Sequence, residues 1–116
     1  MEFDLRQSGD VSILVASGQL TAAGPDEEFR DAIDTLLAAH RTKILVDLAE
    51  VGYIDSQGIG ELLASRETVE RFGGRLKFLT PSKRVEDSLS ITMLLPTFEI
   101  FDDEQDAVTS FAKLDS

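Results

Sequence analysis

Alternating apolar and polar positions near the amino terminus predict two strands. Phe3 and Leu5 alternate with charged residues, which is the pattern of a half-exposed strand. Gly9 and Asp10 form a turn signal before a second strand at 11–17, so the two strands are predicted to pair as a hairpin. Three later apolar runs also predict strands, and the first of them is continuous, as in a strand buried on both faces. These runs lie at residues 43–48, 76–79 and 98–101.

Between the strands, apolar residues recur at the spacing of amphipathic helices. Pro25 is well placed to open the first helix, whose apolar stripe is predicted to extend to His40. The second helix follows a loop through Gly52 and is closed by Gly73 and Gly74. The stripes of these two helices consist of Phe29, Ile33, Leu36, Leu37 and His40, and of Ile59, Leu62, Leu63, Val69 and Phe72. Two further helices are predicted at residues 81–90 and 102–116.

The order of these elements predicts an α/β fold. After the hairpin, strands and helices alternate, and right-handed crossovers then give a largely parallel sheet. We expect a four- to five-stranded, mostly parallel mixed sheet with the N-terminal hairpin and about four helices. The length of 116 residues fits a single domain over residues 1–116. In such sheets binding sites lie beyond the carboxyl ends of the strands, which directs attention to the segment after the central strand.

Charge and residue usage exclude several classes of function. The chain has 22 acidic and 11 basic residues, for a net charge of −11, and one histidine. It therefore lacks the basic stripe that nucleic-acid binding needs, and anionic membrane surfaces should repel it. The absence of cysteine excludes disulfides, thiolate zinc sites and cysteine nucleophiles. With no signal peptide or membrane span in the sequence, we expect a soluble cytoplasmic domain that does not insert into membranes.

The candidate site lies in residues 53–60. Ser56 is predicted at a helix start, where unpaired backbone N–H groups and the helix dipole favour an anion such as a phosphoserine. Gly58 and Gly60 remove two side chains from the start of the helix, and each glycine costs about 1 kcal/mol of helix propensity. Their presence suggests close approach by another protein. The alternative is that Asp55 or Ser56 is simply the N-cap residue.

Other constellations are weaker. A serine hydrolase would have to combine Ser56 with His40, but no G-x-S-x-G elbow surrounds Ser56. The four acids in residues 102–106 lack EF-hand spacing and suit the first turn of a helix. No phosphate-binding loop of the Walker type is present. We therefore expect no catalytic residue, no metal and no cofactor.

The chain resembles the STAS domain, the family of anti-sigma factor antagonists. Residues 44–60 resemble the family signature, whose core is an Asp-Ser pair followed by x-Gly-[Leu/Ile]-Gly after a hydrophobic strand. Three further segments match in order and separation, so the resemblance covers nearly the full chain. They are Gly18-Gln19-Leu20, Gly73-Gly74-Arg75-Leu76 and the passage at residues 93–101.

The resemblance implies a partner switch that depends on Ser56, which matches the regulatory phosphorylation site of the family. The unphosphorylated protein binds an anti-sigma factor, which is an ATP-using serine kinase, and thereby frees a sigma factor. Phosphorylation of the serine ends binding, and a metal-dependent phosphatase of the PP2C type reverses it. The implied partner-binding residues are Thr21, Asp55, Ser56, Gln57, Gly58, Ile59 and Gly60.

Two positions depart from the family pattern. Thr21 stands where many antagonists have an aspartate, and Gln57 stands where serine or threonine is more usual. Neither change removes the phosphate acceptor. The same resemblance also allows a second hypothesis, a constitutive interaction subunit of a larger assembly such as a lipid-transport ATPase complex. In that case Ser56 is only a helix cap and undergoes no phosphorylation.

Overall fold

The computed structural model describes residues 2–20, 26–79 and 99–114, which contain five strands and three helices. These strands form one sheet in the order β1-β2-β3-β4-β5. β1 is antiparallel to β2, and the other neighbours are parallel, so the predicted α/β fold with a mixed, mostly parallel sheet is confirmed. The strands are β1 (Glu2–Ser8), β2 (Val11–Leu20), β3 (Lys43–Ile54), β4 (Arg75–Leu79) and β5 (Ile100–Phe101). The helices are α1 (Asp26–Ala38), α2 (Ser56–Arg71) and α3 (Glu104–Leu114).

The helices cover both faces of the sheet. α1 and α2 pack on one face over the larger core, and α3 packs on the other face over a smaller core. Ile44 and Val46 of β3 belong to the larger core, whereas Leu45 between them belongs to the smaller one, and all three are fully buried. The prediction that this run is buried on both faces is therefore confirmed.

β3 is longer than the sequence predicts. The segment through Gly52, expected as a loop after residue 48, continues as strand to Ile54 and pairs with the end of β2. Two register shifts lie in this pairing, and each adds a residue to β3. As a result Leu48, Val51 and Ile54 are buried at intervals of three residues rather than two. The usual alternation of a strand is lost, which is why the sequence pattern indicated a loop.

Two residues assigned to apolar helix stripes lie outside the helices. α1 ends at Ala38, and His40 is exposed in the turn that follows, with a φ of 61°. Phe72 follows the last residue of α2 and is 64% exposed. Helical spacing predicted both residues on the buried side. The helices end before these residues, so their spacing no longer determines which way they face.

Gly73 and Gly74 close α2 as predicted. Gly73 has a φ of 81°, and the N–H groups of the two glycines donate to the carbonyls of Glu70 and Val69. A side chain on Gly74 would clash with the carbonyl oxygen of Thr42. The turn after α2 is therefore packed against the segment that leads into β3.

Some predictions fall on residues outside the described ranges. They are Pro25 as the opening of the first helix, the helix at 81–90, and residue 98 of the strand predicted at 98–101, of which Ile100 and Phe101 form β5. α3 lies within the helix predicted at 102–116. None of the helices that the structure describes is both long enough and apolar enough to cross a membrane.

Candidate functional site

Asp55 is the residue that caps α2. β3 ends at Ile54, and Asp55 follows in an extended conformation with φ −101° and ψ −176°. Its Oδ1 accepts a hydrogen bond from the N–H of Gly58 at 2.9 Å, and its carbonyl accepts one from Ile59 at 2.9 Å. This is the geometry of an N-cap, so of the two candidate caps the structure selects Asp55. Ser56 is the first residue inside the helix.

The side chain of Ser56 is exposed at the start of α2. Its hydroxyl makes no hydrogen bond to any residue in the described part of the chain. The backbone N–H groups of Ser56 and Gln57 belong to the first helical turn, where no intrahelical carbonyl is available to them. The hydroxyl therefore lies beside donors and the positive end of the helix dipole, and it is open to solvent.

The other residues of the predicted site divide into outward and inward groups. Gln57 and Gly60 are exposed, and a Cβ placed on Gly60 would meet no atom within 4 Å. Gly58 is buried, and Ile59 is 3% exposed and packs in the larger core. The outward surface of the first turns is thus formed by small or polar groups. Thr21 lies outside the described residues.

Tyr53, the first residue of the predicted segment 53–60, adds an aromatic side chain that was not among the predicted partner-binding residues. It lies near the carboxyl end of β3, is 42% exposed, and pairs in register with Gln19 of β2. Exposed tyrosine is enriched in protein interfaces. The register shifts in β3 determine that Tyr53 faces solvent, and no local sequence pattern reveals those shifts.

An ion pair joins α1 to α2 close to the site. Glu61 of α2 is 6% exposed, and both of its oxygens accept hydrogen bonds from Arg30 of α1, at 2.6 and 2.7 Å. The guanidinium neutralises a carboxylate that would otherwise be buried without a partner. Because these residues are 31 positions apart, no motif in the sequence indicates the pair.

The fold separates His40 from Ser56, the two residues that a serine hydrolase would have to combine. His40 precedes β3 and Ser56 follows it, and a strand of 12 residues spans roughly 35 Å. The hydroxyl and the imidazole therefore lie at opposite ends of the sheet. Residues 40 and 56 do not form a catalytic pair in this structure.

The acids around residues 102–106 have structural roles. Asp103 accepts a hydrogen bond from the N–H of Asp106 at 2.9 Å, as a capping residue does. Glu104 forms an ion pair with Arg6 of β1 at 2.6 Å, and this hydrogen bond lowers the pKa of Glu104 and raises that of Arg6. Within residues 2–20, 26–79 and 99–114, no group of three or more His, Asp or Glu side chains is arranged to hold a metal ion.

Comparisons with known proteins cover nearly the whole chain. The model of the STAS domain family matches residues 2–107. A Thermotoga neapolitana protein assigned as an anti-sigma factor antagonist is 31% identical over 99 residues, which are 85% of this chain and 88% of that protein. The crystal structure of a Thermotoga maritima protein with the same assignment has a TM-score of 0.85 and 26% identity, over 95% of this chain and 94% of that one.

The same fold occurs in the anti-sigma factor antagonist SpoIIAA. Its unphosphorylated form has a TM-score of 0.67 and 21% identity, over 94% of this chain and 96% of that one. Its phosphorylated form, from Bacillus, has a TM-score of 0.69 and 22% identity, over 94% of this chain and 98% of that one. This similarity shows a shared fold.

Proposed function

The chain belongs to the STAS domain family, and on that premise we propose that it is an anti-sigma factor antagonist controlled by phosphorylation of Ser56. The unphosphorylated chain binds an anti-sigma factor serine kinase and so releases a sigma factor. The kinase phosphorylates Ser56, binding ends, and a PP2C-type phosphatase restores the first state. The chain acts in the cytoplasm as a single domain, and the nucleotide and Mg²⁺ for phosphoryl transfer belong to the kinase.

The exposed hydroxyl of Ser56 is the observation that carries this proposal. Because Asp55 caps α2, the hydroxyl of Ser56 has no structural task within the described residues. A kinase can reach it without unfolding the helix, and the cap remains after modification. The two solved states of SpoIIAA, unphosphorylated and phosphorylated, support a phosphorylation cycle on this fold.

The effect of the phosphate is expected on binding rather than on folding. A phosphate adds roughly −1.5 to −2 charge at pH 7, and a helix N-terminus accommodates it. In a contact surface, however, the neutral hydroxyl becomes a hydrated dianion beside the carboxylate of Asp55. A loss of about 3 kcal/mol in binding free energy weakens association roughly 100-fold.

The proposed contact surface surrounds this hydroxyl. Gln57 and Gly60 continue it along α2, and Gly60 leaves room for the partner to approach the helix backbone. Gly58 and Ile59 contribute by fixing the first turn against the core. Asp55 positions the first turn through its cap. Thr21 is proposed to join the contact where many antagonists have an aspartate.

The test measures binding and phosphorylation together. The purified chain is incubated with ATP and the anti-sigma factor kinase encoded beside it, and mass spectrometry locates the phosphate. We expect phosphate on Ser56, with Ser56→Ala retaining kinase binding and Ser56→Asp weakening it. Ser8→Asp, which adds the same charge on the edge strand β1, is the matched control and should bind normally. Phosphate at another residue, or none with an active kinase, contradicts the proposal.

The constitutive-subunit hypothesis predicts a different outcome. If the chain is a permanent component of a larger assembly, it co-purifies with that assembly, and Ser56→Asp leaves the association unchanged. The two substitutions at Ser56 therefore distinguish a switch from a fixed contact.

A further inference from the structure

Positive charge collects at the end of the sheet opposite Ser56, around the amino ends of β3 and β4. Among the residues that the structure describes, four lysines and arginines lie there, together with His40. The exposed aromatic side chain of Phe72 lies beside them, in the turn that follows α2. We call this surface the basic end, and it consists of His40, Arg41, Lys43, Arg71, Phe72 and Arg75.

The topology brings two separate segments of sequence together at this surface. Lys43 and Arg75 are register partners at the starts of β3 and β4. The N–H of Arg75 donates to the carbonyl of Thr42 at 2.9 Å, and Gly74 lies directly against the same residue. α2 ends at Arg71, three residues before Gly74. Residues 40–43 and 71–75 therefore form one continuous surface.

The arginines of the basic end lack the carboxylate partners that other cations in the chain have. Arg41, Arg71 and Arg75 make no ion pair with any residue that the structure describes. The hydrogen bonds of Arg71 and Arg75 go to the hydroxyl of Thr68 and the carbonyl of Gly74. Ion pairs with carboxylates are formed elsewhere in the described part of the chain, for example by Arg6, Arg30, Lys43 and Lys77 with Glu104, Glu61, Asp10 and Glu99 respectively.

Helix dipoles account for only part of this pattern. A cation near the carboxyl end of a helix is favoured by the dipole, and Arg71 occupies the last turn of α2. The last turn of α1 contains no basic residue, and Arg41 and Arg75 lie outside both helices. The N–H of Arg41 donates to the carbonyl of Leu36 at the end of α1, and Arg75 follows the turn that closes α2, so the helix ends favour cations here but give these two arginines no carboxylate partner.

The shape of the basic end also suits a ligand. Phe72 is 64% exposed beside the arginines, and no packing in the described fold requires an aromatic side chain there. A cleft of about 310 Å³ lies between the β1–β2 turn and residues 40–43, and the carboxylate of Asp10 in its wall is already paired with Lys43 at 2.7 Å. An exposed apolar side chain next to unpaired cations is typical of a surface that binds another molecule.

We propose that the basic end is a second docking surface, which binds an acidic segment of a partner protein. Guanidinium groups bind carboxylates through paired hydrogen bonds, and Phe72 contacts an apolar side chain of the same segment. A short acidic segment touches only this surface. DNA or a lipid bilayer presents charge over a wider area, which the remaining net negative charge of the chain repels. The proposal is independent of the switch at Ser56, and both partners can bind at once.

A synthetic peptide tests the proposal directly. The probe is a short glutamate-rich peptide with one tryptophan and one leucine, titrated into the ¹⁵N-labelled full chain, with a peptide that has glutamine in place of glutamate for comparison. We expect amide shifts confined to residues 40–43 and 71–75 with the acidic peptide only. Arg41→Gln with Arg75→Gln should weaken binding about tenfold or more, and Phe72→Ser should weaken it as well.

A matched variant separates local recognition from total charge. The double variant Gln19→Glu with Gln105→Glu changes the net charge by the same −2 at exposed positions far from the basic end. We expect its affinity for the acidic peptide to stay within about twofold of the unmodified chain.

Equal losses of affinity in the two double variants would overturn the proposal. Amide shifts at other residues, or no amide shifts at millimolar peptide, would overturn it as well. Equal binding of duplex DNA or phosphatidylglycerol vesicles would also overturn it. Light scattering provides a further test. If Arg41→Gln with Arg75→Gln changes the self-association of the chain, the basic end binds a second copy of the chain, and the proposal is overturned.

Discussion

Gly60 lies near the start of α2 and Gly74 lies just beyond its end, and the two glycines differ in the space around them. A Cβ on Gly74 would clash with the carbonyl oxygen of Thr42, so the fold itself requires glycine there. A Cβ on Gly60 would meet nothing within 4 Å, and Gly60 lies inside a helix, where glycine is unfavourable. The packing of the fold therefore explains why residue 74 is glycine but not why residue 60 is. This favours a role for Gly60 in contact with a partner.

Gly60→Ala should change stability and binding in opposite directions. We expect it to raise the free energy of unfolding by about 0.5–1 kcal/mol, because alanine is the better helix former. Binding to the anti-sigma factor kinase should weaken about tenfold, because a methyl group then occupies the proposed contact. Urea unfolding and titration calorimetry measure the two effects.

The control for this prediction is Gly74→Ala, which should lower the free energy of unfolding because of the clash with Thr42. If Gly60→Ala is more stable and binds the kinase as tightly as the unmodified chain, the partner does not approach α2 at that position.

At the scale of single residues, the sequence predicted where the second helix begins. The change from the apolar run of β3 to a helical pattern placed Asp55 and Ser56 at a helix start, and only the choice of cap stayed open. The pair of Arg30 and Glu61 could not be predicted, because it depends on how α1 and α2 pack. The basic end is a similar case, since residues 40–43 and 71–75 meet only once β3 and β4 are paired.

At the scale of elements, β3 shows where the pattern fails. In residues 43–48 successive side chains face the two cores in turn, and this regular two-residue period makes the strand recognisable from local sequence. Beyond residue 48 the register shifts against β2 interrupt it, so that part of the strand could not be distinguished from a loop. The sequence also predicts that α1 and α2 extend further than they do, for a related reason. Helical spacing continues in the sequence after the backbone has turned.

α3 docks on the sheet through a buried lysine. Lys77 of β4 is 1% exposed, and its Nζ donates to the hydroxyl of Ser110 at 2.7 Å and lies 4.7 Å from the centre of the Phe111 ring. The carboxylate of Glu99 is 3.3 Å from the same Nζ. The aliphatic part of the side chain fills space that the small core needs, and the ammonium group has its partners.

Lys77→Met should test whether volume or charge holds α3 in place. We expect the free energy of unfolding of Lys77→Met to stay within about 1 kcal/mol of the unmodified chain, because methionine fills a similar volume and the carboxylate of Glu99, which is 53% exposed, stays in contact with water. Lys77→Ala should lose about 2 kcal/mol or more through the cavity it leaves. It should also speed amide hydrogen exchange in α3. Equal losses in both variants would show that the charge is required.

The pair of Arg6 and Glu104 gives the docking of α3 a pH dependence. The hydrogen bond from Arg6 holds the pKa of Glu104 below its ordinary value. The pair therefore contributes stability above the ordinary pKa of glutamate, near pH ~4.3, and this contribution is lost as pH falls through the lowered pKa. Both side chains are more than 40% exposed, so the contribution should be under about 1 kcal/mol.

The measurement is the difference in free energy of unfolding between the unmodified chain and Glu104→Gln from neutral pH to acid. We expect a small difference at neutral pH that disappears on acidification. Glu28→Gln, at an exposed position of α1, is the control and should show a smaller difference. A difference for Glu104→Gln that stays constant with pH would contradict the assignment.

At the scale of the whole molecule, net charge and size make stability depend on salt. The principal extents are 36, 25 and 23 Å, and the net charge is −11. At 0.01 M salt the screening length is about 30 Å, so carboxylates repel one another across the entire molecule. At 0.15 M salt it is about 8 Å, and only near neighbours interact.

We therefore expect the free energy of unfolding to rise by about 1 kcal/mol between these two salt concentrations, because screening relieves repulsion in the compact state. Thermal unfolding followed by circular dichroism measures the change, and sodium chloride serves as the salt. A fall in stability over the same range would show that the surface ion pairs outweigh the repulsion.

The order of strands in the sheet equals their order in the chain, from β1 to β5. During synthesis on the ribosome, each new strand after β1 finds its neighbour already at the open edge, and none has to be inserted between two others. The sheet can grow in one direction at the pace of translation, with its short final strand added last. Until β5 and α3 emerge, the backbone edge of β4 remains exposed to pairing with another nascent chain. That hazard persists until β5 has paired with β4 and α3 has packed on the sheet.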